Sequence, residues 1–420
     1  MPELTWLSMT IAAVVTALSV LLLRTQAERW GLLDLPGGHK QHLGAVPVIG
    51  GLAMFVGLMA AMAAAPGGLA AHPAFVLGCL ILVAMGAYDD AKGLSPRPRL
   101  VGHVLVASLV FYFSPHNVRL ETLGDFLGVG PIALGIASLP FTVFVMVAAI
   151  NAFNMLDGLD GLAGGVALAA GVILWAVVGQ GSHAGLLPLV AALVGAAAGF
   201  LLFNAPTILN RPVRTFMGDA GSTLIGFTLA TVLVSVCQGD APRVSPVNAV
   251  WFLFLPATEV IQSTLRRVLS GRSPFAPDRG HLHHQLRAAG MSVRGIFFLV
   301  TTTTLLGACI GLWFEAAHAP QLVSFLTLIG ASATYTGVIS ALVARSRAHT
   351  LAEESESVLA DGIGDVPHVQ DVEGLDQRHY QTRHGRLSTF TNPHDPVRPR
   401  FVTPEFGPPD VEPAADSDVA

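Results

Sequence analysis

Long apolar stretches alternate with short polar segments along most of this chain. A run of roughly 17 to 25 apolar residues is long enough to cross a bilayer as a helix. Scanning the chain for such runs predicts about eleven membrane-spanning helices. They are expected at residues 4–23, 46–65, 73–88, 100–114, 131–150, 162–179, 185–203, 221–237, 247–265, 295–315 and 321–344. The pattern therefore predicts an all-α, polytopic membrane protein.

Composition supports this fold class. Of 420 residues, 52% are hydrophobic and 12% are charged, and the mean hydropathy is +0.61. Soluble globular proteins carry about 25% charged residues, so a soluble enzyme is excluded. The cysteines Cys79, Cys237 and Cys309 all lie inside apolar runs and indicate neither a disulfide framework nor a metal motif. We expect membrane lipids around the protein and no nucleic-acid partner.

Basic residues are concentrated in the loops that follow odd-numbered predicted spans. Those loops contain Arg24, Arg29, Lys40, Lys92, Arg97, Arg99, Arg211, Arg214, Arg266, Arg267, Arg272, Arg279, Arg287 and Arg294. The opposite side contains only Arg119 and Arg243. Because cytoplasmic loops carry an excess of Lys and Arg, the basic loops are expected in the cytoplasm. This places the N-terminus outside and the C-terminus in the cytoplasm.

The last part of the chain has a different character. Residues 346–420 lack apolar periodicity and contain several prolines and many acidic residues, a composition typical of disorder. We therefore predict a transmembrane domain at 1–345, whose cytoplasmic loops carry the active site. Residues 346–420 are expected to form a disordered cytoplasmic tail that the chemistry does not need.

The most unusual polar stretch, NAFNMLDGLDGLAGG at residues 151–165, follows directly after an apolar run. It contains Asn154, Asp157 and Asp160. An ionised carboxylate near hydrocarbon is costly, so such acids usually line a cavity, hold a metal or contact a polar substrate. The alternative is a polar loop in which glycine breaks the helices and aspartate caps them.

Two further polar motifs lie in loops predicted to share the cytoplasmic side. A loop rich in Pro and Gly places Lys40 between His39 and His42, an arrangement that suits an anion, although a plain positive-inside loop is the alternative. Asp89 and Asp90 follow the third span. Because adjacent carboxylates repel, the pair favours a bound divalent cation or a raised pKa on one member. Helix capping is the alternative.

The loop between the seventh and eighth spans contains Asn204 and, further on, Asp219. Asp219 lies between glycines, which allow a backbone to approach a ligand closely. A helix that begins near Ser222 would offer free amides to an anion. A simple helix N-cap is the alternative explanation for Asp219.

The ninth span contains Glu259 and leads into a histidine-rich segment. This segment holds Arg279, His281, His283 and His284. Imidazole is the commonest nitrogen ligand of transition metals, so a structural zinc site is one reading. No cysteine lies nearby, however, and the acids elsewhere favour Mg²⁺, which prefers oxygen ligands. A contact set for phosphate or nucleotide is therefore the favoured interpretation.

All these motifs are predicted on one face of the membrane, so they are expected to build one site. Carboxylates and Asn supply oxygen ligands for Mg²⁺, while Lys, Arg and His neutralise phosphates. Together these groups form the parts of a metal-assisted phosphoryl-transfer centre. A site at the membrane edge implies one soluble substrate and one lipid substrate. A proton-coupled transporter is the alternative from another class, and it would place acids near the bilayer midplane.

The motifs resemble, in order along residues 30 to 295, those of the polyprenyl-phosphate N-acetylhexosamine-1-phosphate transferases. NAFNMLDGLDGLAGG and SPFAPDRGHLHH are most similar to the undecaprenyl-phosphate N-acetylglucosamine-1-phosphate transferase branch. They are less similar to the peptidoglycan branch, which takes UDP-N-acetylmuramoyl-pentapeptide and is expected to carry a contiguous histidine run.

The resemblance implies roles for individual residues. Asp89 would deprotonate or orient the lipid phosphate, and Asp90 would help to organise the cation. Asp157 and Asp160 would hold the metal and the diphosphate, and Asp219 would be a direct Mg²⁺ ligand. The remaining substrate contacts would come from Lys40, His42, Asn154, Asn204, Arg279, His281, His283 and His284.

The resemblance also implies an activity. The protein would transfer N-acetylglucosamine-1-phosphate from a UDP-sugar to undecaprenyl phosphate and release UMP, as the first lipid-linked step of an envelope polysaccharide. Mg²⁺ would be the cofactor, with Mn²⁺ as an alternative. The enzyme would lie in the bacterial cytoplasmic membrane with its active site facing the cytoplasm, and a homodimer is compatible with this arrangement.

Overall fold

The computed structural model describes residues 2–34, 44–114, 117–179, 183–206, 215–239, 241–271, 273 and 280–363. Its helices are α1 Pro2–Leu23, α2 Gly50–Ala64, α3 Pro73–Lys92, α4 Pro96–Phe113, α5 Ser138–Leu156, α6 Leu162–Val178, α7 Leu187–Asn204, α8 Gly218–Val236, α9 Pro246–Val250, α10 Phe254–Leu269, α11 Leu282–Ala288, α12 Val293–Ala316 and α13 Gln321–Ile363. Short 3₁₀ turns lie at Gly68–Ala71, Gly135–Ala137, Ala184–Leu186 and Trp251–Leu253. The strands β1 Leu33–Asp34 and β2 Val46–Pro47 pair antiparallel.

The structure confirms that the chain is helical and rich in candidate membrane spans. Seven helical segments in the described residues are long and apolar enough to cross a membrane. They are 5–23, 73–92, 135–156, 184–204, 218–236, 293–316 and 321–346. Each of the other four predicted spans also coincides with a helical segment, but two of these segments, α2 and α6, are shorter apolar helices. The number of eleven spans and the orientation of the termini stay predictions.

Helix α8 lies at the centre of the bundle. It packs against α2, α3 and α5, and every residue from Ala220 to Val236 is buried. The approach to α3 is especially close, because a Cβ at Gly86 would collide with the backbone of Ala220. This contact brings the last turn of α3 against the first turn of α8.

Two chain segments before α2 and α8 are joined by backbone hydrogen bonds. The Phe216 amide donates to Pro47 O at 2.8 Å, and the Gly50 amide donates to Phe216 O at 2.9 Å. The loop before α2 is therefore fixed beside the start of α8.

The described residues up to 356 belong to one packed unit, and the described residues 357–363 fall outside it. Helix α13 continues to Ile363, so the predicted tail boundary at residue 346 falls inside a helix. Residues 364–420 lie outside the described residues. The division into a membrane domain and a disordered tail stays a prediction.

Candidate active site

Three helix ends meet at one place. Asp89 and Asp90 lie in the last turn of α3, Asn154 lies near the end of α5, and Asp219 lies in the first turn of α8. Because α8 packs between α3 and α5, these side chains converge although 129 residues separate Asp90 from Asp219. The convergence of the separate polar motifs, which the sequence predicts, is found for this group.

The first turn of α8 is held by carboxylates from other segments. The Asp219 amide donates to Oδ1 of Asp90 at 2.8 Å, and the Ala220 amide donates to Oδ2 at 3.3 Å. The Gly218 amide donates to the carboxyl group of Asp157. These N–H groups have no partner within α8, because the first four amides of a helix lack one. Asp90 and Asp157 therefore cap α8 from outside it.

Gly218 is required for this cap. Its φ of +72° lies in the left-handed region, and a Cβ at this position would meet the Asp90 carboxylate. Only glycine combines that φ with the missing side chain at no steric cost. The sequence Gly218-Asp219 thus allows Asp90 to reach the helix end while the side chain of Asp219 extends from the same turn.

Two side chains donate hydrogen bonds to the Asp219 carboxylate. Asn154 Nδ2 donates to Oδ1 at 2.5 Å, and Arg99 Nη1 donates to Oδ2 at 3.1 Å. The same Arg99 nitrogen lies 2.9 Å from Oδ2 of Asp89. Arg99 therefore links two of the predicted site carboxylates. It is absent from the site residues predicted by sequence, because a basic residue in this loop also satisfies the positive-inside pattern.

Asp89 is fixed from two sides. Besides Arg99, it accepts a hydrogen bond from the Leu94 amide at 2.5 Å, and its side chain is only 7% exposed. The turn that follows α3 thus folds back onto Asp89. Leu94 contacts one oxygen of the Asp89 carboxylate and Arg99 the other, so the group is held beside the carboxylate of Asp219.

Carboxyl groups outnumber basic side chains at this place. Removal of the carboxyl group from water raises the pKa of Asp157 to about 8, and neighbouring carboxylates add to the shift. Those neighbours are, in decreasing order of effect, Asp219, Asp90 and Asp160. Like charges that raise a pKa in this way are relieved by a cation. The cluster is therefore suited to a positively charged ligand.

Asn204 lies behind the site. It is 4% exposed, its Oδ1 accepts from the Gly161 amide at 2.6 Å, and its Nδ2 donates to Thr215 O at 2.8 Å. Asn204 thereby joins the loop after Asp157 to the segment before α8. Its predicted contact with the nucleotide-sugar stays a prediction.

The histidines contact the same loop. The ring of His283 packs directly on Gly158, where a Cβ would overlap it. The ring centroid of His281 lies 6.0 Å from that of His283 and 6.5 Å from that of His284. His283 is 4% exposed, and burial, followed by the neighbouring His284 and His281, lowers its pKa to about 3. His283 is therefore neutral at physiological pH, which suits hydrogen bonding better than charge neutralisation.

Three residues predicted to contact substrate lie outside the described residues: Lys40, His42 and Arg279. Asp160 lies between α5 and α6 in the loop that His283 contacts. The predicted site aspartates in the described residues lie at helix ends or in the loop between α5 and α6 rather than in the middle of spans, unlike the arrangement expected of the transporter alternative.

The residues present fit a magnesium ion better than a zinc ion. Among the described residues, no group of three or more His, Cys, Asp or Glu side chains is arranged to hold a metal, whereas structural zinc needs four ligands. Mg²⁺ is usually bound by one or two carboxylates together with substrate phosphates and water. The surplus carboxylates at the start of α8 meet that requirement, and Mg²⁺ binding stays a prediction.

Known proteins are similar to this chain in sequence. Residues 72–237, which carry Asp89, Asn154 and Asp219, match the glycosyl transferase family 4 model. The undecaprenyl-phosphate α-N-acetylglucosaminyl 1-phosphate transferase of Escherichia coli strain K12 is 36% identical over 308 residues, which cover 72% of this chain and 82% of the relative. Proteins of the same name from Yersinia pestis and Haemophilus influenzae are 35% and 33% identical, over 69% and 74% of this chain and 78% and 86% of their own lengths. This chain belongs to the family of these transferases. Membership confirms the resemblance found in the motifs, and together with the apolar helices it makes the chain a multi-pass membrane protein.

The match to the family model covers α3 to α8 and therefore the whole aspartate cluster. Glu259 and the histidines lie beyond it. The two parts of the site are nevertheless in contact, because His283 packs on Gly158.

Proposed function

We propose that this protein transfers N-acetylglucosamine-1-phosphate from UDP-N-acetylglucosamine to undecaprenyl phosphate and releases UMP. The names of the relatives support both the acceptor and the transferred group. The reaction takes place at the cytoplasmic face of the bacterial inner membrane, where a soluble nucleotide-sugar meets a lipid phosphate. It provides the first lipid-linked intermediate of an envelope polysaccharide.

One structural observation carries the proposal. Asp89, Asp90, Asp157 and Asp219 converge where α8 begins, and Arg99 contacts two of them. Phosphoryl transfer depends mainly on positioning and on neutralising the charge of two anionic substrates. A surplus of carboxylates beside a fixed arginine supports binding of a divalent cation and of phosphates together.

Asp219 and Asp157 are the residues that would hold Mg²⁺, with Asp90 behind them. When bound, Mg²⁺ supplies charge neutralisation for the diphosphate. Asn154 fixes the orientation of Asp219 through its 2.5 Å hydrogen bond. Asp90 fixes the backbone of the same residue, so both side chain and main chain are positioned before substrate arrives.

The other residues act on the phosphates. Asp89 orients the lipid phosphate and accepts its proton if it arrives protonated. The lipid phosphate oxygen attacks the β-phosphorus of the UDP-sugar, the bond from that phosphorus to the bridging oxygen breaks, and UMP leaves with that oxygen. Arg99 stabilises the charge at the donor or acceptor phosphate, and the histidines hold the nucleotide-sugar by hydrogen bonds.

The peptidoglycan enzyme that takes UDP-N-acetylmuramoyl-pentapeptide is the second candidate. The names of the relatives favour N-acetylglucosamine, as does the interrupted His-Leu-His-His sequence at residues 281–284. A substrate panel separates the two. Purified protein with Mg²⁺ and undecaprenyl phosphate should accept UDP-N-acetylglucosamine and reject the muramoyl-pentapeptide donor.

The bond that breaks is tested with UDP-N-acetylglucosamine labelled in its β-phosphate. We expect label to move into the lipid fraction with UMP as the co-product, and excess UMP to reverse the transfer, since one phosphoanhydride replaces another. The control omits undecaprenyl phosphate. Label that remains in released UDP would contradict the mechanism, because it would mean that the bond between sugar and oxygen breaks instead.

A further inference from the structure

We propose that Glu259 is a positioning residue that fixes the ring of His281 for contact with the nucleotide-sugar. The inference rests on the proposed function and adds a residue outside the aspartate cluster. Glu259 lies on α10 and is 6% exposed. A buried carboxylate is costly unless it is hydrogen-bonded, so its partners indicate its purpose.

Both identified partners of Glu259 belong to the histidine segment. Oε1 lies 3.0 Å from Nδ1 of His281 and accepts from the Leu282 amide at 3.1 Å. An ionised carboxylate can only accept, so Nδ1 of His281 carries the hydrogen. In the neutral ring Nε2 then has a free lone pair, and it is the nitrogen left to contact a substrate. Carboxylates orient imidazoles in this way in catalytic triads and metal sites.

A second contact from α10 holds the same segment. Arg266, about two helical turns after Glu259, donates from Nη2 to Gly280 O at 3.0 Å. Gln285 Nε2 also donates to that carbonyl, at 2.6 Å. Helix α10 therefore fixes the backbone on one side of His281 through Arg266 and on the other through Glu259.

The orientation of this segment matters for the aspartate cluster. His281 and His283 stack with ring centroids 6.0 Å apart and an interplanar angle of 15°, and His283 packs on Gly158, next to Asp157. Glu259 thus connects α10 through His281 and His283 to the loop that holds Asp157. A change at Glu259 is expected to alter how the donor is held while leaving the cap of α8 intact.

The test compares Glu259→Gln, His281→Ala and the double variant in detergent. Glutamine retains the size of the side chain, but its amide can donate to Nδ1 and so favours the other tautomer. We expect E259Q to lower kcat/KM for UDP-N-acetylglucosamine by about 10- to 100-fold, the range found when a carboxylate that orients a histidine is removed. The KM for undecaprenyl phosphate should stay within about twofold.

In the H281A background, E259Q should cause no more than about a threefold further loss, because the two residues act as one unit. The matched control is Glu315→Gln, which replaces another carboxylate that accepts both a backbone and a side-chain N–H at the far end of α12. E315Q should leave both KM values unchanged. Equal losses from E259Q with and without His281, or a parallel loss for both substrates, would overturn the proposal.

A measurement that does not need turnover separates this inference from the proposed function. ¹⁵N-histidine spectra at pH 8, with the His281 signals assigned by their absence in H281A, should show a proton on Nδ1 in the wild type. In E259Q the pattern should change towards a proton on Nε2. A proton only on Nε2 in the wild type, or the same pattern in both proteins, would refute the dyad. Absence of sugar-phosphate transfer by the wild type would refute the proposed function alone.

Discussion

Buried carboxyl groups have different partners at the two ends of the helix bundle. Where α8 begins, Asp89, Asp90, Asp157 and Asp219 gather around Arg99. Where α12 ends, Glu315 meets donors that match it, since its Oε2 accepts from the Ser245 amide and from Asn248 Nδ2, both at 2.8 Å. One end has more acceptors than cations, while the other has a carboxylate with well-placed donors.

The hydrogen bonds around Glu315 extend into a longer chain of hydrogen bonds. Ser324 Oγ donates to Asn248 Oδ1 at 2.6 Å, and Trp251 Nε1 donates to Ser324 Oγ at 3.1 Å. This chain joins α9 and α12 to α13 through buried polar groups. A satisfied network of this kind specifies packing, whereas an excess of like charge raises pKa values and needs a ligand to relieve it. The comparison indicates chemistry at one end and structural support at the other.

Asp219→Asn should have the largest effect on the aspartate cluster. The substitution removes one charged oxygen ligand with almost no change in volume, so we expect turnover to fall by at least about 1,000-fold. The Tm should be at least as high as that of the wild type, because one of several repelling carboxylates is lost. Labelled-phosphate transfer and thermal unfolding in detergent measure the two effects. Activity within about tenfold of the wild type would remove Asp219 from the proposed site.

Asp90→Asn should give the opposite stability result. Asp90 holds two amides of α8 with its two carboxylate oxygens, and Asn offers only one acceptor oxygen. Burial raises the pKa of the Asp90 carboxyl group to about 7, so the group is mostly ionised at pH 8. Hydrogen bonds to a charged group contribute about 1.5–3 kcal/mol, so the Tm measured at pH 8 should fall. Turnover should also fall, by about 10- to 100-fold, because Asp219 is no longer held in place. A stable but inactive D90N would instead favour direct metal binding by Asp90.

The sequence predicts the helices and the convergence of the acids, but not how the acids are held. Apolar runs indicate the spans because bilayer thickness sets their length. The motifs around Asp89, Asn154 and Asp219 could be placed together because charge bias assigns their loops to one side. Which carboxylate caps a helix could not be predicted. Asp90 reaches an amide 129 residues away in sequence, and capping rules consider only neighbouring residues.

The same limit applies to Arg99 and Glu259. Arg99 satisfies the positive-inside pattern whether or not it contacts Asp219, so its sequence position carries no separate signal. Glu259 is noticeable as an acid in an apolar span, but its partner His281 follows a segment whose path the sequence does not define. Pairing across 22 residues depends on how α10 and α11 pack. Only the three-dimensional arrangement separates these roles.

Glu315→Gln tests whether the hydrogen bonds at the far end of α12 have a structural role alone. Replacing the carboxylate weakens its hydrogen bonds to Ser245 and Asn248, which should lower the free energy of unfolding by about 1–3 kcal/mol. Because this network lies about 33 Å along α12 from its first residue, by helical rise, kcat/KM should remain within about twofold of the wild type. A loss of transfer without a loss of Tm would show that the far end also takes part in the reaction.

The smallest expected effect concerns acid stability. His283 has a folded-state pKa of about 3, lowered by burial and by the neighbouring histidines, whereas an unfolded histidine has a pKa of about 6.5. The unfolded state therefore binds a proton below about pH 6.5 that the folded state refuses. The stability due to this group is complete above the unfolded pKa and is lost as pH falls towards the folded one.

His283→Gln removes that proton-binding group, so its Tm should fall less steeply than that of the wild type between about pH 7 and pH 4. Asp157 acts with the opposite sign, because its raised pKa of about 8 makes its contribution decline as pH rises. The difference between wild type and H283Q isolates the histidine, since Asp157 is common to both. His284→Gln, at an exposed position beside it, is the control and should keep most of the wild-type slope, because burial lowers the pKa of His283 more than His284 does. Equal slopes for wild type and H283Q would mean that His283 can take up a proton in the folded protein, and it would then belong with the charged groups of the site.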